Sequence, residues 1–192
     1  FNNTSSGPGT GVVNVTAGVL NLSGGGISNG SFTGAVGAQL GFASGHTLQA
    51  GSSINAANVE FFGSGTNTVS GTYTVTGTTT VSGGTTTFDG TVANSGGALL
   101  ATGGRVNFSN PAGVVFSTIN LAGGTIGGTQ TVTATGLTTW TAGTMTEAGT
   151  TNANGGLSLS GTGLKDLNGG RVLNTAGTTT WTNASFDSAG RI

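Results

Sequence analysis

Gly136–Gly149, reading G-L-T-T-W-T-A-G-T-M-T-E-A-G, returns 41 residues later as Gly177–Gly190, G-T-T-T-W-T-N-A-S-F-D-S-A-G. Gly136, Thr138, Thr139, Trp140, Thr141, Ala148 and Gly149 recur unchanged, and Met145 is matched by Phe186. Self-similarity at a fixed spacing signals a repeat architecture, whose unit cannot bury its apolar face without neighbours. A second echo shortens the period. Leu20–Ile27 returns as Ile119–Ile126, 99 residues on, or five units of about 20, which makes the 41-residue echo two units. Gly103-Gly104-Arg105-Val106 and Gly169-Gly170-Arg171-Val172 match at a spacing of 66, a looser fit to three long units.

Stepping by about 20 from Trp140 traces three apolar tracks. The first runs Leu22, Phe42, Phe62, Val81, Leu100, Leu121, Trp140, Leu159 and Trp181. The second runs Ile27, Leu48, Val69, Phe88, Phe108, Ile126, Met145, Leu164 or Leu167, and Phe186. The third is Val15, Val36, Ile54, Tyr73 or Val75, Val92, Val114, Val132, Ala153 and Val172. Around these tracks apolar and polar residues alternate, as in Thr139-Trp140-Thr141 and Thr72-Tyr73-Thr74-Val75-Thr76, which predicts short strands with one face inward. Gly-Gly, Asn-Gly and Ser-Gly pairs fall between them as corners. The expectation is an all-β parallel β-helix: a three-sided β-solenoid of nine or ten coils, one domain over residues 1–192, with Ala142-Gly143 a corner between two sheets. Pro111 cannot donate to a ladder and marks a corner or bulge in Asn107–Val115. Gly161–Gly170, with Lys165 and Asp166, is expected to protrude.

Composition supports strands over helices and over disorder. Charged residues make up 5% and the net charge is −1, whereas Val, Ile and Thr run the whole length; Lys occurs once, Glu twice. Without cysteine there are no disulfides or thiolate metal sites. Arg105, Lys165, Arg171 and Arg191 are scattered, so no basic patch addresses nucleic acid, and no apolar run is long enough for a membrane-spanning helix. The chain begins at Phe1, read as a processed chain or a piece of a longer one.

Residues that could carry chemistry are few. Polysaccharide-cleaving β-helices need clustered carboxylates; of Glu60, Asp89, Glu147, Asp166 and Asp187, only Asp166 and Asp187 lie about one coil apart. His46 has no second His or Cys to share a metal and is expected at an exposed strand end. Glycine runs at 24–26 and 83–84 lack the Asp of calcium-binding repeats and the Lys of a phosphate loop. Thr139-x-Thr141 and Thr180-x-Thr182 suggest an ice-binding array, but Asn120-x-Ala122, Ser158-x-Ser160 and Leu99-x-Ala101 interrupt it. Trp140 and Trp181 are expected in the core rather than stacking on sugars. Phe61 and Phe62 are adjacent, so one of them points outward. The sequons at Asn14 and Asn183 are unsurprising in a chain so rich in Asn, Ser and Thr. No catalytic, cofactor or metal residue is assigned.

Leu157-Ser158-Leu159-Ser160-Gly161-Thr162-Gly163 and Thr139-Trp140-Thr141-Ala142-Gly143-Thr144-Met145 resemble the degenerate repeats of large bacterial surface and secreted β-solenoids. Autotransporter passenger domains and filamentous-haemagglutinin-like adhesins are of this style. The resemblance is one of texture along nearly the whole chain. It implies a right-handed parallel β-helix, an extracellular or cell-surface location, and a non-catalytic role as fibre, stalk or adhesin. Neither a haemagglutinin secretion domain nor an outer-membrane barrel lies in these 192 residues, leaving the secretion route open. Solenoid ends expose unpaired strands, and neither Phe1–Gly11 nor Ser185–Ile192 reads as a cap. Partners are therefore expected to be a head-to-tail neighbour or further coils of the same chain, with surface glycans as an alternative.

Overall fold

Period-2 strands joined by glycine corners cannot bury an apolar face alone, and the chain solves this by winding. A computed structural model describes residues 1–4, 11–94, 97–182 and 185–188. Every described strand pair is parallel, and the strands stack in about nine coils of about 20 residues: a β-solenoid. Among the described residues there is no helix, and so none long and apolar enough to cross a membrane. The sequon Asn183-Ala184-Ser185 and the cation Arg191 fall outside or partly outside the described residues.

Each coil presents three sides. The first face carries Val19–Leu22 at one end and Thr179–Trp181 at the other, and the second runs from Gly26–Ser28 to Ser185–Ser188. Val12–Val15 and Val172–Thr175 bound the third. Several strands bend round a corner unbroken: Ser31–Ala43 and Ser53–Phe62 serve the third face and then the first, and Thr138–Met145 serves the first and then the second. The corner at Ala142-Gly143 falls as expected. Gly143 has φ +100°, and a Cβ there would lie 2.3 Å from Gly124 O of the coil below, so the close stacking of corners excludes a side chain.

Strand registers correct the tracks. On the first face the inward column is Leu22, Phe42, Phe61, Val81, Ala101, Leu121, Trp140, Leu159 and Trp181. Phe61 rather than Phe62 is fully buried, and the inward pair Leu99 and Ala101 leaves Leu100 between them facing out. On the second face Ile27 is 53% exposed and Ser28 takes the inward place beside Leu48; Met145 stacks on Leu167, with Leu164 facing solvent. On the third face Val36 is 94% exposed at the turn and Phe32 is buried, while Leu173 rather than Val172 is inward. These errors, most of them of one residue, share a cause. Alternation fixes which residues share a side, but corner length fixes which set points in, and corners vary.

The core is a column of aromatic rings. Phe32 meets Phe42 edge-on at 5.3 Å, Phe42 stacks on Phe61 at 5.7 Å, and Phe61 meets Phe88 edge-on at 5.7 Å. Phe88 stacks on Phe108 at 5.3 Å, and Phe108 meets Phe116 at 5.8 Å. Tyr73 closes a triangle with Phe61 and Phe88, and its hydroxyl is satisfied by Thr79 Oγ1 at 2.7 Å.

Residues 109–113 form the long corner expected around Pro111, with Asn110 buried and its Nδ2 donating to Ala112 O. Beyond it the third face starts afresh: Val114–Phe116, Thr131–Ala134, Thr150–Ala153 and Val172–Thr175 form a sheet separate from the rest. Gly161–Gly170 does not protrude. Leu164–Leu167 is an ordinary rung between Gly143–Met145 and Ser185–Ser188, because Lys165 points inward and donates to Gly161 O at 2.9 Å and Gly163 O at 2.6 Å. Those two corner carbonyls hold the ammonium at a place where the coil below has only Gly143.

Candidate functional site

Stacked alternation places polar residues in vertical ladders on the outer faces, and neighbouring rungs bond to each other. On the third face Thr33 Oγ1 donates to Asn14 Oδ1 at 2.8 Å, Ser53 Oγ to Ser31 Oγ at 3.0 Å, and Asn174 Nδ2 to Asn152 Oδ1 at 2.9 Å. On the first face Glu60 accepts from Gln39 Nε2 at 2.9 Å and from Ser82 Oγ at 2.6 Å, so a rare carboxylate is clasped by the coils on either side. The outward column there is Asn21, Gly41, Glu60, Thr80, Leu100, Asn120, Thr139, Ser158 and Thr180. It is not a regular threonine array. Asn120 and Ser158 interrupt it as expected, together with Asn21, Gly41, Glu60 and Leu100, whereas Leu99 and Ala101 point inward and take no part.

Asp166 and Asp187 are brought together: they are in register on adjacent strands of the second face, and both project from the same side. Asp166 Oδ2 accepts from Asn168 Nδ2 at 2.5 Å, and Asp187 is exposed. Two carboxylates side by side on one sheet face can share a proton or a cation loosely, but they do not flank a bond from opposite sides. No group of three or more His, Asp or Glu that could hold a metal occurs among the described residues.

The other charges converge where the sequence shows only scatter. Arg105 Nη2 pairs with Glu147 Oε1, and Glu147 Oε2 accepts from Gly128 N–H. Arg171, fully buried, donates to Thr151 Oγ1 at 2.9 Å and through Nη1 to Gly128 O and Thr146 O, each at 3.1 Å. Desolvation pushes the Arg171 guanidinium down to about 10; Glu147 opposes that shift and Arg105 adds to it, and the group stays charged at neutral pH. Arg105 and Arg171 are the third residues of matching Gly-Gly-Arg-Val tetrapeptides, yet one sits on the second face and the other at a corner. Their chemical likeness lies in clamping corners of successive coils. Glu147 takes φ +66° to do this, a strained angle for a residue with a side chain. No local motif marks the cluster, since its members lie 42 and 24 residues apart in the chain.

Trp140 is buried as expected, with Nε1 donating to Gly143 O at 3.2 Å. Trp181, expected in the core, is 53% exposed although it stacks on Leu159, because no described strand lies beyond it on the first face. Phe186 meets Trp140 and Trp181 edge-on, both at 5.6 Å. His46 is also corrected: it is fully buried, its ring against Phe42. The signal was present, since inward Leu48 and outward Thr47 place His46 inward by alternation.

With this geometry in hand, comparison with known proteins adds no relative: no family model, no curated protein and no solved structure matches the chain. The class the fold defines is the parallel β-solenoid.

Proposed function

We propose that this chain is a structural segment of an extracellular fibre, stalk or surface filament, with its end coils stacked on further coils of the same chain or on a head-to-tail neighbour. The observation that carries this reading is the open edge at each end. Val12–Val15, Val19–Leu22, Val172–Thr175, Thr179–Trp181 and Ser185–Ser188 each pair with one described strand only. Parallel edges of this kind are templates for another rung, and the two ends are complementary because each coil already stacks in this way. At the first end, among the described residues, Phe1–Asn3 cover part of the second face. There Asn29 N and Gly30 N donate to Asn3 O at 3.0 Å, and Asn3 N donates to Ser28 Oγ at 2.9 Å. The resemblance to repeats of bacterial surface β-solenoids and the very low charge accord with the same role.

Electron microscopy and light scattering of the 192-residue chain test it. End-to-end association into rods whose lengths are multiples of roughly 43 Å, nine rungs at about 4.8 Å, is the expected result. Monomers whose terminal strands exchange amide hydrogens as slowly as the middle coils would overturn it, since such ends need no neighbour. Adhesion to a glycan is the second reading, favoured by half-exposed Trp181 beside Phe186. It predicts glycan-array binding that is lost in Trp181→Ala.

A further inference from the structure

One inward column of the second face changes character along the axis. Val106 is followed by Ile126, Met145 and Leu167, all buried and apolar. In the other direction the same column is Thr86, Asn67 and His46, equally enclosed and all polar. Each bears an atom with no protein partner: Thr86 Oγ1, Asn67 Nδ2 and His46 Nδ1.

The neighbours of these groups fix what each can offer. His46 Nε2 lies 3.0 Å from Leu22 O, and a carbonyl only accepts. The proton is therefore on Nε2, and Nδ1 presents a lone pair. Asn67 Oδ1 accepts from the His46 backbone N–H at 2.9 Å, which settles the amide orientation and leaves Nδ2 with two free N–H bonds. The Thr86 hydroxyl can give and take. Three consecutive rungs thus hold an acceptor, a double donor and a hydroxyl, spaced about 4.8 Å apart. Equivalent atoms at that spacing are too far apart for direct hydrogen bonds. A water molecule making two bonds of about 2.8 Å at its tetrahedral angle spans roughly 4.5 Å, which matches the rung spacing.

We propose that the His46–Asn67–Thr86 column is an internal water-binding site. One water accepts from Asn67 Nδ2 and donates to His46 Nδ1; a second accepts the other Asn67 N–H and bonds Thr86 Oγ1. Water, not a metal cation, suits the donor set, because the central group presents only N–H bonds and no carboxylate stands in the column.

A crystal structure of the chain at a resolution that shows ordered solvent should place water at about 2.7–3.2 Å from His46 Nδ1 and from Thr86 Oγ1. Nitrogen-15 shifts of the ring should show a protonated Nε2 and an unprotonated Nδ1. In solution, oxygen-17 relaxation dispersion should count long-lived internal waters. That count should fall in the combined variant His46→Leu, Asn67→Val, Thr86→Val, which extends the apolar run already present. A direct hydrogen bond from Asn67 Nδ2 to either neighbour with no density between, the opposite tautomer, or an unchanged count each overturns the proposal. Should the combined variant not fold, Thr86→Val alone should lower the count by one, and the crystallographic arm stands independently.

Discussion

At the scale of single residues, consequence follows which way a side chain points. Phe61 is sealed among Phe42, Tyr73 and Phe88, while its neighbour Phe62 is only half-buried. Truncating a core aromatic leaves a cavity that a stacked solenoid cannot close, so Phe61→Ala should cost about 3–5 kcal/mol. Phe62→Ala should cost about 1 kcal/mol or less. Urea unfolding of the two variants checks this, and equal losses would refute the assigned register. His46 offers a pH test. Burial holds its pKa below the ordinary 6.5; the Leu22 carbonyl opposes that shift and the Phe1 ammonium adds to it. The folded state keeps the ring neutral, so the unfolded chain takes up a proton first as pH falls. Stability from the neutral ring is therefore whole above about pH 6.5 and lost as pH drops through the folded pKa. The thermal midpoint should fall between about pH 7.5 and about pH 5, and the slope should flatten in His46→Leu.

Among elements, corners govern. Two glycines with similar backbone angles separate the causes: Gly143 has φ +100° with Gly124 O in the way, whereas Gly37 has φ +82° and open space. Gly37→Ala meets only the left-handed penalty of about 1–2 kcal/mol. Gly143→Ala adds a backbone clash that must displace the coil below, and should be clearly the worse of the two by thermal unfolding. Corner length also explains why the echo of Met145 misleads. Trp140 and Met145 are five residues apart, but Leu159 and Leu167 are eight apart and Trp181 and Ser188 seven. Met145 therefore stacks through Leu167 onto Ser188, while Phe186 aligns with Lys165. The tryptophans recur in structure as in sequence; their partners slide.

For the whole molecule, stability is a sum of neighbour contacts along one axis, so protection should vary with position. Amide hydrogen exchange should be slowest in rungs such as Thr85–Phe88 and Arg105–Phe108, which pair on continuous ladders. It should quicken at Val114–Phe116, where the third face restarts after the Pro111 corner, and, in the unassociated chain, at the outermost strands. Uniform protection along the axis would contradict this neighbour-by-neighbour account. The clamp of Arg105, Glu147 and Arg171 draws on coils before and after that restart and ties successive corners together. Because Arg105 and Glu147 are partly exposed, their pairing adds little stability and is weakened by salt; the buried Arg171 hydrogen bonds matter more to the corners.

The amino-acid order alone specified an all-β solenoid of about 20 residues per coil and the alternation within its strands, because side-chain period and glycine placement are local properties. It also showed that Asp166 and Asp187 lie one coil apart. Only the wound structure decided that Phe61 and not Phe62 faces in, that Lys165 is interior, and that Arg105 and Arg171 meet at Glu147. Those outcomes depend on how many residues each corner spends before the next strand begins. A coil shows its own alternation, but which of its two sides becomes the core is set by the coils stacked above and below it.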